Sequence, residues 1–271
     1  MPRTTLIRKL RPRKIRNAVR RRWFERQLPR LSFAAVDGPV LDLGSSYGGW
    51  KMPGGLIEPS WVCYCVGAGG DISFDRELVE RYGATVRAVD PVADYILSAQ
   101  AELQHPRFST HRAAIATDDG PLRMQLTHDT RSGSVSPAGL YESHDFIELP
   151  GRTLPSLMAE LGDERIDLLK LDIEGGEYDV LPTLDLRALG VRVLATQLHH
   201  TGSVRRARTL IAGLASQGYQ PVACRPAVKI TFAHSDLLAA PARAATVRRH
   251  TSHVPLPKGF SLARPDGERR A

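Results

Sequence analysis

The chain lacks any apolar run approaching the roughly 18 residues of a membrane-spanning helix, so nothing in its 271 residues reads as a membrane anchor. Its basic N-terminus also lacks the apolar stretch that would make it a signal peptide, which sets the expectation of a cytoplasmic protein, at most peripheral at a membrane. Cysteine is scarce. Cys63, Cys65 and Cys224 show neither a CxxC pair nor a zinc-like spacing, which argues against a disulfide framework and against structural zinc. Cys63 and Cys65 stand two apart in an apolar run, share a face, and are expected as small core residues. Acid is nearly missing from the start of the chain: residues 1 to 30 hold twelve Lys or Arg against Glu25 alone, a net of +11. The remaining 241 residues carry 25 basic and 28 acidic side chains, a net of −3, so the overall charge of +8 belongs to an appendage.

Within residues 1 to 30, Ile15, Val19 and Trp23 recur every four residues with Phe24 beside them, which predicts a basic amphipathic helix over 13 to 28. It would face an anionic surface, membrane or nucleic acid, or simply pack one face on the body and leave the other solvated. Residues 239 to 271 are rich in Ala, Pro and Arg without apolar periodicity and are expected to be disordered. The body is therefore residues 31 to 238, a single domain without internal repeats.

The body alternates strand-like and helical stretches. "WVCYCV" (61 to 66), "TVRAV" (85 to 89), "FSTHRA" (108 to 113), "IDLLKL" (166 to 171) and "VRVLATQL" (191 to 198) are apolar and rich in β-branched residues. Phe74, Leu78 and Tyr82 recur between them at helical spacing, as do Leu157 with Leu161 and Leu210 with Leu214. Strands separated by helices predict an α/β doubly wound domain with a mostly parallel sheet. Residues 115 to 155 break the rhythm and read as a β-hairpin or flap inserted near a site.

Two glycine-rich loops compete for a cofactor. A cofactor loop in this architecture needs a buried strand, a tight glycine turn and a helix whose N-terminal amides face the ligand. "VLDLGSSYGGW" (40 to 50) is followed by Pro53, Gly54, Gly55 and Pro59, which forbid a useful helix, so it is expected to be structural or a lid. "GAGGDISFD" (67 to 75) follows a strand and opens a helix that Ser73 would cap, with Asp75 and Glu77 in its first turn and Gly83 at its end. The next strand then finishes on Asp90, placed to accept hydrogen bonds from ribose hydroxyls, although Asp-Pro is also an ordinary helix start. A dinucleotide fingerprint beginning at Gly67 would need a third glycine where Ile72 stands. A smaller ligand with an adenosine half, such as S-adenosylmethionine, fits better; nicotinamide-dependent oxidoreduction is the second reading, and a non-catalytic binding module steered by the basic helix the third.

"IDLLKLDIEGGEYDVL" (166 to 181) places Asp172 at the C-terminal end of a central strand, with Glu174 and Glu177 on the turn into a helix. Such carboxylates serve as a general base, an anchor for a hydroxyl or oxygen ligands for a divalent ion, or merely complement the helix dipole. A divalent cation is therefore possible without being predicted.

At this stretch the chain resembles the FkbM-type S-adenosylmethionine-dependent methyltransferases. "LLKLDIEGGEYDVL" is similar to their signature, "GAGGDISFDRELVERYGATVRAVDP" to the cofactor half of the branch that includes the methyltransferase-like 24 proteins, and "GSSYGGWKMP" to a segment preceding the first strand there. The likeness spans about 42 to 233. It implies a class I methyltransferase (Rossmann-like) sheet of seven strands with the last one antiparallel, "VKITFA" (228 to 233) closing it, and methyl transfer to a hydroxyl of a sugar or natural product. It further implies Gly67, Gly69 and Asp71 on the methionine side of the cofactor, Asp90 on the ribose, Ala114 and Ile115 on the adenine, and Asp172 and Glu174 between cofactor and acceptor. One departure concerns "ATQLHH", where an acidic residue is expected near Gln197. His199 and His200 end that strand, and adjacent residues face opposite ways, so at most one enters the site. Asp172 or His199 is the expected base.

Overall fold

The computed structural model describes residues 22 to 24, 26, 31 to 126, 135 to 137, 146 to 199, 203 to 226 and 228 to 239. Strand β1 (Val40–Leu43) pairs antiparallel with β2 (Trp50–Pro53) as a hairpin. Then come β3 (Val62–Val66), helix α1 (Ser73–Glu80), β4 (Thr85–Val89), α2 (Ala93–Glu102) and β5 (Phe108–His111). An insertion follows, built from β6 (Ala114–Ile115), β7 (Gly120–Leu126), β8 (Val135–Pro137) and β9 (Phe146–Arg152). The second half runs α3 (Leu154–Leu161), β10 (Leu168–Leu171), α4 (Glu177–Val180), β11 (Val193–Gln197), α5 (Val204–Ser216), β12 (Tyr219–Arg225) and β13 (Lys229–His234).

Seven of these strands form one sheet in the order β12-β13-β11-β10-β3-β4-β5. Neighbours from β11 to β5 pair parallel, and β13 runs antiparallel to both β11 and β12. This is the class I methyltransferase arrangement, with "VKITFA" supplying the reversed strand. The chain order crosses over between β3 and β10, and that reversal opens a crevice at the C-terminal ends of the parallel strands.

Period-two alternation divides the core between the two faces of the sheet. Cys63 and Cys65 of β3 and Leu168 of β10 face α1 and the hairpin, where Phe74, Leu78, Trp50 and Met52 are buried with them. Tyr64, Leu169 and Leu171 face the other way, against Leu157, Tyr178, Leu210 and Leu214. Both cysteines are buried thiols, as expected of core residues. The helices begin and end where local chemistry dictates: Thr153 caps α3 by accepting from Ser156 N, and Gly162 in the left-handed region ends it. Ser203 caps α5 through Arg206 N.

The insertion is a four-stranded sheet in the order β6-β9-β7-β8, more than the expected hairpin, because β6 adds a parallel edge to β9. Of the basic N-terminal segment, residues 22 to 24 and 26 are described and helical; Phe24 is buried in the core while Trp23 is exposed. The rest of residues 1 to 30, His200, and the C-terminal segment from residue 240 lie outside the described residues. No described helix is long and apolar enough to cross a membrane.

Candidate active site

The chain leaves β3 through Gly67 and Gly69, at φ 77° and 60°, a region that favours glycine. Space forces glycine at position 67 as well: a Cβ there would stand 1.9 Å from the carbonyl oxygen of Asp172. The glycine loop and the acidic loop therefore touch at the sheet edge. Lys170, nearly fully buried in β10, donates from Nζ to Gly67 O at 2.7 Å, and Gly67 N donates to Val89 O. Gly69, by contrast, has nothing within 4 Å of where a Cβ would be, so the loop presents open backbone to the crevice.

Asp90 ends β4 beside that loop. Its Oδ2 accepts from Gly69 N and its Oδ1 from Val92 N, both at 2.9 Å, and burial pushes its pKa above the ordinary value. One carboxylate thus shapes the glycine loop and starts the next helix while keeping one edge on the crevice. Asp71 secures the first glycine loop and the start of α1. Its Oδ2 accepts from Ser45 Oγ at 2.5 Å and Gly48 N at 3.2 Å, and its Oδ1 accepts from Ser73 N at 3.0 Å. Burial would raise the Asp71 pKa, but these hydrogen bonds hold it below normal. The expected Ser73 cap is corrected by the same contacts: Ser73 is the first helical residue, Asp71 serves its amide, and Ser73 Oγ accepts from Ser45 N at 2.7 Å.

These loops line a cavity of about 490 Å³. Gly67, Gly69, Asp71, Asp90, Ala114, Ile115, Asp172 and Glu174 all reach its wall, so eight of the nine residues singled out from the sequence converge on one space. The first glycine loop contributes Ser46, Tyr47, Gly48 and Gly49 to the same wall, and no helix of useful length follows it.

The acidic loop is built around a buried histidine. Glu174 takes φ 53°, strained for a residue with a Cβ, followed by Gly175 at φ 104°. Glu177, with no exposed surface, accepts from the His199 ring at Nδ1 (2.7 Å) and from His199 N (3.0 Å), and its other oxygen accepts from Gly175 N. Tyr178 Oη donates to His199 O at 2.9 Å. His199 Nε2 then lies 3.4 Å from Glu174 Oε2 and 3.7 Å from Asp172 Oδ1. Burial alone would lower the His199 pKa; Glu177 first, then Asp172 and Glu174, reverse this and push it up to about 10. The ninth residue therefore sits behind the carboxylates, which favour its protonated form.

Sequence reasoning missed Lys170, Lys229 and Tyr47 as site residues, and did not pair Glu177 with His199. Lys229 donates to Tyr47 O at 3.1 Å, lies 3.8 Å from Asp172 Oδ2 and stands 4.9 Å from the Trp50 ring centre. Lys170 and Lys229 carried a readable signal, a cation inside an otherwise apolar strand, since such charges are rarely buried unless paired. Gln197, where an acid was expected, lines the cavity and sits 3.3 Å from His199 Nε2 through Nε2. Among the described residues no cluster of three or more His, Cys, Asp or Glu is arranged to hold a metal ion.

The chain matches the family model described as Methyltransferase FkbM domain over residues 65–221. No curated protein matches it. Among solved structures it is similar to a putative methyltransferase from Thermoplasma acidophilum, at 12% identity and TM-score 0.34, over 65% of this chain and 67% of that one. A putative RNA methyltransferase from Pyrococcus horikoshii matches at 12% identity and TM-score 0.34, over 79% and 96% respectively. A mutant 16S rRNA (adenine(1408)-N(1))-methyltransferase from Catenulisporales acidiphilia matches at 14% identity and TM-score 0.32, over 74% and 99%.

Proposed function

The chain belongs to the FkbM methyltransferase domain family, and from that premise we propose that it is an S-adenosylmethionine-dependent O-methyltransferase acting on a hydroxyl of a small molecule. The observation that carries this reading is the convergence of an open glycine loop, a sheet-edge carboxylate and the Asp172 loop on one cavity. The residues fit the cofactor: Gly69 leaves open backbone in the crevice, Asp90 turns a buried carboxylate toward it, and Ala113, Ala114 and Ile115 supply an apolar wall. When bound, the cofactor supplies a methyl group on a sulfonium, which departs as a neutral thioether.

Gly67 and Gly69 hold the methionine side, Asp90 accepts from the ribose hydroxyls, and Ala114 with Ile115 cover the adenine. Asp71 belongs to this side mainly through the loop that it secures. Asp172 faces the acceptor: its carboxylate takes the proton from the acceptor hydroxyl as the oxygen forms its bond to the methyl carbon. His199 and Lys229 flank Asp172 on opposite oxygens and fix its orientation. Holding the acceptor oxygen in line with the methyl group is the larger part of the work, since displacement at carbon depends on near-attack geometry. The nicotinamide reading has no support in the family match.

Methyl transfer from labelled S-adenosylmethionine, measured across hydroxylated acceptors, tests this. Asp172→Asn should lower kcat by about 10²- to 10⁴-fold, the usual worth of a general base, while cofactor affinity stays close to native. An Asp172→Asn protein of native kcat would remove the base assignment.

A further inference from the structure

Among the described residues, the most exposed large hydrophobic side chain in the cavity wall sits on a densely hydrogen-bonded loop. Tyr47 is 80% exposed, yet its backbone is hydrogen-bonded both within its own loop and to Lys229 of β13. Tyr47 N donates to Ser45 Oγ at 3.0 Å, and Tyr47 O accepts from Lys229 Nζ. Ser45 O accepts from Gly49 N at 3.0 Å and from Arg225 Nη1 at 3.2 Å, while Ser45 Oγ and Gly48 N both donate to Asp71. The loop also has no spare room: a Cβ on Gly49 would stand 2.4 Å from two carbonyl oxygens, and one on Gly48 would stand 2.7 Å from the Asp71 carboxyl carbon. Its exposed ring is therefore held out on a rigid support rather than carried on a loose loop.

The surroundings of that ring say what it meets. Lys229 links the Tyr47 carbonyl to Asp172, so loop and proposed base share one ammonium. Tyr95 lines the same cavity, and its hydroxyl is pushed up first by burial and then by nearby Asp90, Tyr47 and Glu174, which sets these groups around one opening. An amphipathic aromatic face beside carboxylates and an amide suits a ring whose flat side is apolar and whose rim carries hydroxyls.

Resting on the methyl-transfer reading above, we propose that Tyr47 is the residue that receives the acceptor, its ring stacking on a hydroxylated ring, sugar or arene, and presenting a rim hydroxyl to Asp172. Lys229 acts through Tyr47 and Asp172 as a positioning residue.

The test uses full-length protein saturated with S-adenosylhomocysteine, with methyl β-glucopyranoside and catechol as separate probes in saturation-transfer NMR. Native protein should transfer saturation to the ring protons of one or both probes, and the probe that responds identifies sugar or arene. Tyr47→Ala should weaken that probe's binding by about tenfold or more, while Tyr47→Phe retains it. Calorimetry should show that Tyr47→Ala still binds S-adenosylhomocysteine within about twofold of native, which shows that the variant is folded and its cofactor end intact. Unchanged probe binding in Tyr47→Ala, or no transfer to either probe in a native protein that binds S-adenosylhomocysteine, overturns the proposal. A native protein that does not bind S-adenosylhomocysteine overturns the cofactor reading instead, and the proposal with it.

Discussion

Burial and a carboxylate pull the His199 imidazole in opposite directions, and Glu177 at 2.7 Å wins. Because its pKa rises from an ordinary 6.5 to about 10 on folding, the stabilisation is fully present below about 6.5 and is lost as the pH climbs through 10. Urea denaturation at stepped pH should therefore show native stability falling between pH 7 and 10, and His199→Gln should flatten that slope. A native profile that stays level across this window would mean that the histidine is neutral, returning it to candidacy as a base. Glu177→Gln should cost roughly 3 to 5 kcal/mol, because it leaves a buried cation without its closest partner. Asp172 and Glu174 were legible as single residues because two acids at the end of an apolar strand have few structural reasons to be there. For Glu177 the sequence left a chemical role and the helix dipole both open, because its partner His199 lies 22 residues away, just past the end of β11.

At the scale of elements, two loops are held together by an absence of atoms. Gly67→Ala would drive a Cβ into the Asp172 carbonyl at a positive φ, so it should destabilise the fold by about 3 kcal/mol or more and separate the glycine and acidic loops. Thermal melting of the variant measures this; a melting temperature within about a degree of native would show that the loops part easily. Ser45→Ala removes the hydroxyl that latches the β1–β2 loop to Asp71. It should cost only about 1 kcal/mol in stability yet speed amide exchange at residues 45 to 49. All five strands expected from the body's apolar runs form, because buried parallel strands write themselves as short β-branched stretches. The Ser73 cap did not form because the helix starts at Ser73 itself: Asp71, two residues earlier, accepts from its amide, and its hydroxyl accepts from Ser45 N. The fourth strand of the insertion went unread because Ala114–Ile115 is a pair too short to show any period.

Over the whole molecule, the doubly wound parallel sheet could be anticipated from the alternating patterns, which leave few topologies open, while the reversed strand was implied by the family resemblance alone. Contacts that cross the chain could not: Lys229 reaches Tyr47 across 182 residues, and periodicity carries no information at that range. A ligand that binds only the folded state shifts the unfolding equilibrium by mass action. S-adenosylhomocysteine at a hundredfold excess over its Kd should therefore add about 2.7 kcal/mol and raise the melting temperature by roughly 5 to 10 °C, while NADH leaves it unchanged. The central claim is that the loop from Gly67 to Asp71, with Asp90 beside it, holds the methyl donor. Calorimetric titration of S-adenosylmethionine into native protein and Asp90→Ala tests it most directly. Micromolar binding by the native protein, weakened by about 1 to 3 kcal/mol in Asp90→Ala, is the expected result. Equal affinity in the two proteins, together with loss of binding when Gly48 and Gly49 are replaced, would contradict it and move the cofactor to the first loop.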